Sequence, residues 1–278
     1  MFYDSYPYLP LWLLTLLFFL LLLAAQQFGM FLRRRHEART RKPPEHAEKA
    51  DDKEQDGFAM NSVLGLLALL IGFTFSLALG RYDSRRELVV KEANALGTTW
   101  LRTDLLGAQE RAQAQDVLRR YVDARVAFGN ARTSREELAR YRDTEALQNE
   151  LWTVMTQATA PFKDSPRASL VITTTNDSID LAAERLATRE AHIPTRILRL
   201  LLLFAVLTAA LVGYVRAEHP RASALLLLLF TLAVGLVMDL DRPSSGMINV
   251  PQQPMLDLQR SLQAPAQAAS AATAPPAS

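Results

Sequence analysis

The chain has 278 residues, of which 49% are hydrophobic, and it carries a formal net charge of +2. A charge so close to neutral gives no reason to expect a nucleic-acid partner. The absence of cysteine excludes disulfides, thiolate nucleophiles and zinc–thiolate sites. The four histidines lack the spacing of metal ligands, so no metal or other cofactor is expected.

The hydrophobic residues are concentrated in four blocks, and the first runs without a charge from Leu9 to Leu32. Four aromatic residues lie at its start, as at a membrane interface: Tyr3, Tyr6, Tyr8 and Trp12. We predict that residues 1–32 hold an N-terminal segment and the first transmembrane helix. A cleaved signal peptide is the alternative, but the block is too long and no Lys or Arg precedes it.

A charged connector follows at residues 33–57, with a cluster of arginines at its start. Pro43 and Pro44 interrupt any continuing helix. We predict a solvated, partly disordered loop, whose arginines matter mainly as a signal of membrane topology.

The second block, residues 58–80, is predicted to be a transmembrane helix. From Ala59 onward it carries no charge, and it is long enough to cross a hydrocarbon core of about 30 Å. Small residues recur at every fourth position: Ala68, Gly72, Ser76 and Gly80. This spacing places them on one helical face, where another helix approaches closely.

The same helix is predicted to continue out of the membrane, because residues 81–102 contain no proline and keep an apolar stripe at helical spacing. Glu92 shares a stripe with Leu88 and Ala95, and a buried carboxylate needs a cationic partner. Arg85 lies two turns earlier on that stripe. A structural ion pair is therefore favoured over a catalytic role for Glu92.

Residues 81–192 are predicted to form an all-α extramembrane domain of four long helices. Ser134 and Glu137 have capping-box spacing at the start of the third. Ser165, followed by Pro166, marks the start of the fourth.

Asn176 and Asp180 lie four residues apart on that fourth helix, so they share one face. This polar seam either faces a pore or an ion, or is a hydrogen-bonded pair on a solvated surface. Three threonines precede the pair, at positions 173–175. The second interpretation is preferred.

The third apolar block has only 16 uncharged residues, from Leu200 to Val215, so a helix of about 20 residues extends to Arg199 or as far as Arg196. These arginines snorkel to the interface, or one of them faces a polar interior.

The last segment is rich in Ala, Pro, Ser and Gln and is predicted to be disordered. The remaining predicted segments are a third transmembrane helix at 193–215, a short turn at 216–221, a fourth transmembrane helix at 222–240, a post-membrane motif at 241–260 and the disordered tail at 261–278.

The predicted fold class is therefore all-α: an integral membrane protein with four transmembrane helices and a helical extramembrane domain inserted between the second and third. Counting Lys and Arg places the 33–57 connector and the 216–221 turn in the cytoplasm, and the N-terminus and residues 81–192 on the outer, periplasmic side of a bacterial inner membrane. Arginines that flank the membrane on the large-domain side favour the opposite orientation.

In either orientation, the second helix leaves, the third enters and the fourth leaves on one side of the membrane. Charged residues gather at these points: Arg81, Arg85, Arg196, Arg199, Asp239, Asp241 and Arg242. They form a belt of interfacial anchors and ion pairs, or they form a vestibule that attracts anions.

Several motifs resemble the bacterial bestrophin-like family, a domain of unknown function. GFTFS at 72–76 runs into RYDSRRELVVKEANALGTTWLR, and RYVDARVAF, NDSIDLAAERLATREAHIP and DLDRPSSGMINVPQQPMLDL follow in the family's order. The resemblance covers about residues 58–258. It implies likeness to bestrophins, which are oligomeric anion channels with four membrane helices and a helical domain in the cytoplasm. No channel residue is transferred from that family.

No nucleophile–base pairing, phosphate-binding loop or paired metal ligands are present in the sequence, so the protein is not expected to be an enzyme. Two functions are consistent with the patterns. The first is an oligomeric channel selective for inorganic anions. The second is a non-conducting membrane scaffold or sensor. The expected partners are the lipid bilayer and further copies of the same chain.

Overall fold

The computed structural model describes residues 10–39, 46–216, 220–243 and 246–272. Within these ranges the chain forms α-helices and two short 3₁₀ turns, without a strand. The helices are α1 Leu11–Arg39, α2 His46–Arg102, α3 Ala108–Gly129, α4 Ser134–Thr159, α5 Pro166–Glu190, α6 Thr195–Val215, α7 Pro220–Leu240 and α8 Gln253–Ala272. Four stretches are long and apolar enough to cross a membrane, which confirms the predicted fold class.

The chain divides into two compact units. The membrane unit comprises residues 1–80 and 192–242, and the extramembrane unit comprises residues 81–191 and 243–278. Helix α2 contributes to both, and it runs unbroken for 57 residues. The predicted continuation of the second apolar helix through residues 81–102 is thereby confirmed.

In the membrane unit, α1 packs against α6 and α7. Its core is aliphatic, with Leu22, Leu67, Leu201 and Leu227 each 1% exposed. Side chains from α1, α2, α6 and α7 thus meet in one cluster. This is the mutual burial of apolar faces that four membrane helices require.

The backbones of α1 and α6 approach each other closely at two glycines of the membrane unit. A Cβ atom built on Gly29 would lie 1.9 Å from the carbonyl oxygen of Ala210, and one built on Gly213 would lie 2.0 Å from that of Gln26. Only glycine fits at such a crossing, as in other close helix pairs of membranes.

The small residues of α2, by contrast, are exposed in this single chain: Ala68, Gly72, Ser76 and Gly80. A Cβ atom on Gly72 would meet no described atom within 4 Å. The contact predicted for this face is therefore not made by Gly72 within the described chain, and it stays a prediction about other molecules.

The extramembrane unit has a separate core in which α3 packs against α4 and α8, and α4 against α5. Leu96, Leu118, Leu151 and Met155 are fully buried there. These residues come from α2, α3 and α4, so the part of α2 beyond the membrane is a structural member of this unit.

The N-cap of α5 is the residue that the sequence predicts, and the N-cap of α4 lies one residue before the predicted one. Ser165 caps α5 by accepting a hydrogen bond from the amide of Ala168 at 3.3 Å, as predicted. At α4 the cap is Thr133, which accepts from the amide of Glu136 at 3.2 Å. The predicted capping role of Glu137 is wrong by one position, and Glu137 instead pairs with Arg189.

Two predicted irregular segments are partly helical. Residues 33–39 and 46–57 of the connector belong to α1 and α2, whereas residues 40–45, with Pro43 and Pro44, lie outside the described residues. Arg33 supports the extension of α1, because its Nη1 donates to the carbonyl oxygen of Val215 at 2.8 Å at the end of α6.

The predicted disordered tail begins inside α8. Residues 261–272 are helical, and residues 273–278 lie outside the described residues. The prediction is wrong for the helical part because it was based on average composition, which does not reveal the apolar stripe on one face of α8. Met255 and Leu262 on that stripe are 0% and 3% exposed and pack into the core of the extramembrane unit.

Candidate functional site

A buried ionic network lies at the centre of the extramembrane unit. Glu92 on α2 accepts hydrogen bonds from Arg125 on α3 and Arg185 on α5. The three residues are 0%, 0% and 3% exposed. The predicted partner, Arg85, is wrong, because seven residues of helix separate it from Glu92 by about 10.5 Å along the axis.

The charge state of this network follows from its surroundings. Burial by itself would raise the pKa of the Glu92 carboxyl, but the charges of Arg125 and Arg185 outweigh burial and hold that pKa below its ordinary value. Burial lowers the pKa of the Arg185 guanidinium. Glu92 is thus an ionised carboxylate, which fits a structural ion pair and not a proton donor that works near neutral pH.

Phe128 gathers three cationic groups around one buried ring. The guanidinium carbons of Arg125, Arg189 and Arg185 lie 4.5, 5.1 and 5.5 Å from the ring centroid. The buried Nη atoms of Arg125 have no hydrogen-bond partner among the described residues. Attraction between a cation and the face of an aromatic ring offsets part of that cost.

Arg189 and Arg85 lie at the carboxyl ends of helices. Arg189 donates to the carbonyl oxygen of Ala131 at 3.0 Å, just after the end of α3, and its Nε lies 3.0 Å from a carboxylate oxygen of Glu137. Arg85 donates to the carbonyl oxygen of Ala191 at 2.7 Å, at the end of α5. Arg189 also donates to the carbonyl oxygen of Gly129 at 3.4 Å, and Nε of Arg85 donates to that of Thr188 at 3.3 Å. These carbonyl groups belong to the last helical turn, where a partner within the helix is lacking.

These arginines border a cavity of about 480 Å³ within the extramembrane unit. The polar side chains that line it are Arg85, Arg132, Arg185, Arg189, Asn130, Asn249 and Gln252. Among the described residues that line the cavity, none is an aspartate or glutamate. Gln252 is held in place by its Oε1, which accepts a hydrogen bond from Nη2 of Arg185.

Sequence reasoning identified the burial of Glu92 but paired it with Arg85 and missed Arg125 and Arg185. A signal was present in the sequence. Arg125 falls on the buried stripe of Tyr121 and Phe128, and Arg185 and Arg189 lie four residues apart on one face of α5. Arginines on an otherwise apolar stripe indicate buried charge that needs partners.

The other predicted residues of the extramembrane unit lie elsewhere. Arg81 is half-buried at the start of the unit. Asn176 and Asp180 are exposed and hydrogen-bonded to each other at 2.7 Å. The hydrogen bond within the pair is thus present, and what the exposed pair faces in an assembly stays a prediction.

In the membrane unit, Arg196 and Arg199 are exposed near the start of α6. Asp239 and Asp241 are buried at the end of α7, and Arg242 is half-buried. The predicted charges of this unit therefore differ in burial, with the acids inside and two of the arginines outside.

Asp241 fastens the chain that enters α6 to the end of α7. Its Oδ1 accepts a hydrogen bond from the amide of Ile193 at 2.9 Å, and its Oδ2 lies 3.6 Å from Nδ1 of His192. Asp241 is fully buried. These contacts give it an anchoring role within the membrane unit.

Comparison with known proteins shows which solved structures share this architecture. No curated protein matches the sequence significantly. The crystal structure of a bacterial bestrophin homolog from Klebsiella pneumoniae is similar with a TM-score of 0.60 and 17% identity, over 90% of this chain and 97% of that chain. A variant of a bacterial bestrophin homolog from the same organism gives a TM-score of 0.61 and 17% identity, over 90% and 98%. At these identities the likeness shows the fold.

The family itself is shown by sequence. The profile of the Bestrophin-like domain matches residues 38–255, which is most of the chain and includes α2, the ionic network and both later membrane helices. The motifs that first indicated the resemblance lie almost entirely inside this range. The chain therefore belongs to the bestrophin-like family.

Proposed function

We propose that the protein is an oligomeric channel for inorganic anions. Its family and its four-helix membrane unit support this function. The observation that carries the proposal is the small-residue face of α2, where Gly72 is exposed and would accommodate a side chain without meeting a described atom. Lipid chains gain few packing contacts at a face of small residues, whereas a helix from a second copy of the chain can approach such a face closely.

In an assembly of this kind, α2 helices from several copies surround or border the ion path. The exposed arginines at the start of α6, Arg196 and Arg199, then add positive potential at one mouth. Rings of Arg or Lys are a common means of attracting anions to a pore. The buried acids Asp239 and Asp241 hold helix ends in this scheme and do not contact the ion.

We expect Arg199→Gln to lower chloride flux into liposomes about two- to fivefold, the effect of losing one exposed charge near an anion path. Arg34→Gln is the matched control. It removes an exposed arginine near the end of α1, next to the end of α6, and thus at the opposite end of the membrane unit from Arg199. Flux that is unchanged in Arg199→Gln and Arg242→Gln would contradict an anion-attracting vestibule.

A non-conducting sensor or scaffold is the second candidate. The cavity in the extramembrane unit favours it, because a cavity lined by arginines can report the presence of a ligand without any ion flux. A purified parent protein that carries no anion flux in liposomes would favour this function over the channel.

We infer from the distribution of Lys and Arg that the extramembrane unit lies on the periplasmic side of a bacterial inner membrane. The cytoplasmic position of this domain in bestrophins is the alternative. In Asn130→Cys, a single cysteine on an exposed residue of this cysteine-free chain, an impermeant maleimide is expected to react in intact cells. Reaction only after permeabilisation would place the unit in the cytoplasm.

A further inference from the structure

Buried positive charge is a feature of the extramembrane unit. Among its described residues, four arginines (Arg85, Arg125, Arg185 and Arg189) are at most 8% exposed, and the comparably buried acids are Glu92 and Glu137. Glu92 pairs with Arg125 and Arg185, and Glu137 pairs with Arg189. Neither glutamate is among the described residues that line the cavity.

Positively charged side chains line this cavity. The cavity of about 480 Å³ is lined by Arg85, Arg185 and Arg189, and exposed Arg132 adds a further positive charge. A guanidinium has five N–H donors. The identified contacts of Arg185 use Nη1 for Glu92 and Nη2 for Gln252, so its donor capacity exceeds those two bonds.

The lining also contains groups that can orient an organic molecule. Asn130, Asn249 and Gln252 provide amide donors and acceptors, and Val89 and Val250 provide apolar surface. Cavities of about 300–1,000 Å³ with a few convergent polar groups are typical of small-molecule sites. This volume is far larger than a single halide ion needs.

We propose that this cavity binds a small water-borne organic acid or phosphate, whose oxyanion group is held by Arg185 and Arg132. Arginine suits this role because its planar fork matches the two oxygens of a carboxylate or phosphate. Arg85 and Arg189 shape the site by fixing the ends of α5 and α3. All the described lining residues belong to the extramembrane unit.

The test is calorimetric titration of the full-length protein in an uncharged maltoside detergent, with citrate and inorganic phosphate as probes. Saturable binding of at least one probe is expected. Arg132→Glu and Asn249→Glu place a negative charge on exposed residues of the lining and should weaken binding about tenfold or more. Arg135→Glu makes the same charge change on an exposed residue outside the lining and should leave affinity unchanged.

Three results would overturn the proposal: no saturable binding of either probe, equal weakening in Arg135→Glu, or binding only of added phosphatidylglycerol. The last result would assign the cavity to a lipid headgroup. Because binding is measured without ion flux, a failure here is separate from a failure of the channel proposal, and either can hold without the other.

Discussion

Glu92→Gln is expected to lower the free energy of unfolding of the detergent-solubilised protein by about 3–5 kcal/mol. The substitution removes the one carboxylate that accepts from both Arg125 and Arg185, and it leaves two guanidiniums buried without that partner. Chemical denaturation followed by tryptophan fluorescence would measure the loss, because Trp100 and Trp152 both lie in the extramembrane unit.

Glu87→Gln is the matched control, since Glu87 lies on the same helix and pairs with Lys91 while 64% of its side chain is exposed. It should leave stability unchanged, as exposed ion pairs contribute little. Adding Arg125→Met to Glu92→Gln should recover part of the lost stability by removing one unpaired charge. Equal effects of Glu92→Gln and Glu87→Gln would show that the network does not stabilise the unit.

The ion pairs of Glu92 with Arg125 and Arg185 also predict that the stability of the protein depends on pH. The pKa of Glu92 is lower in the folded protein than its ordinary value. Its contribution to stability is therefore fully present above the unfolded pKa, near pH 4.3, and is lost as the pH falls through the folded pKa. In Glu92→Gln this part of the acid sensitivity should disappear.

Gly213→Leu is expected to prevent α1 from packing on α6, with a loss of stability above about 3 kcal/mol. Even a Cβ atom at Gly213 would lie 2.0 Å from a backbone oxygen of α1, and backbone cannot move aside as a flexible side chain can. Poor insertion or aggregation in detergent, seen by size-exclusion chromatography and a lowered Tm, would report the effect.

Gly72→Leu makes the identical change on α2, where no described atom lies within 4 Å of the new Cβ. The fold of the single chain should survive it. If the small-residue face joins copies of the chain, crosslinking in membranes should show loss of the oligomer. A Tm that falls equally in both variants would refute the assignment of the close packing to α1 and α6.

These two glycines show what sequence patterns can and cannot predict. The regular spacing on α2 predicts a close contact. Among the described glycines, however, those whose added Cβ would collide with another backbone are Gly29 and Gly213, which belong to no repeat. Periodicity identifies which face of a helix is special. It carries no information about which helix lies opposite, since that depends on the packing of the whole unit.

Glu92 illustrates the same limit in the extramembrane unit. Its burial could be predicted from its position on an apolar stripe, because that inference uses only neighbours along the helix. Its partners lie 33 and 93 residues further along the chain, so local spacing pointed to Arg85 instead. The all-helical class, the unbroken α2 and the start of α5 were predictable for the opposite reason, since each depends on local sequence.

The way in which α3 and α5 end has a consequence for how the extramembrane unit unfolds. Among the described residues none adopts a positive φ, so these helices do not end on the left-handed glycine that closes many helices locally. Arg189, from α5, donates to the carbonyl oxygen of Gly129 in the last turn of α3. Arg85, from α2, donates to that of Thr188 in the last turn of α5. Each helix terminus is therefore complete only when its neighbour is docked. Local fraying and global melting are coupled in this unit, and its helices should be lost together in a single cooperative transition.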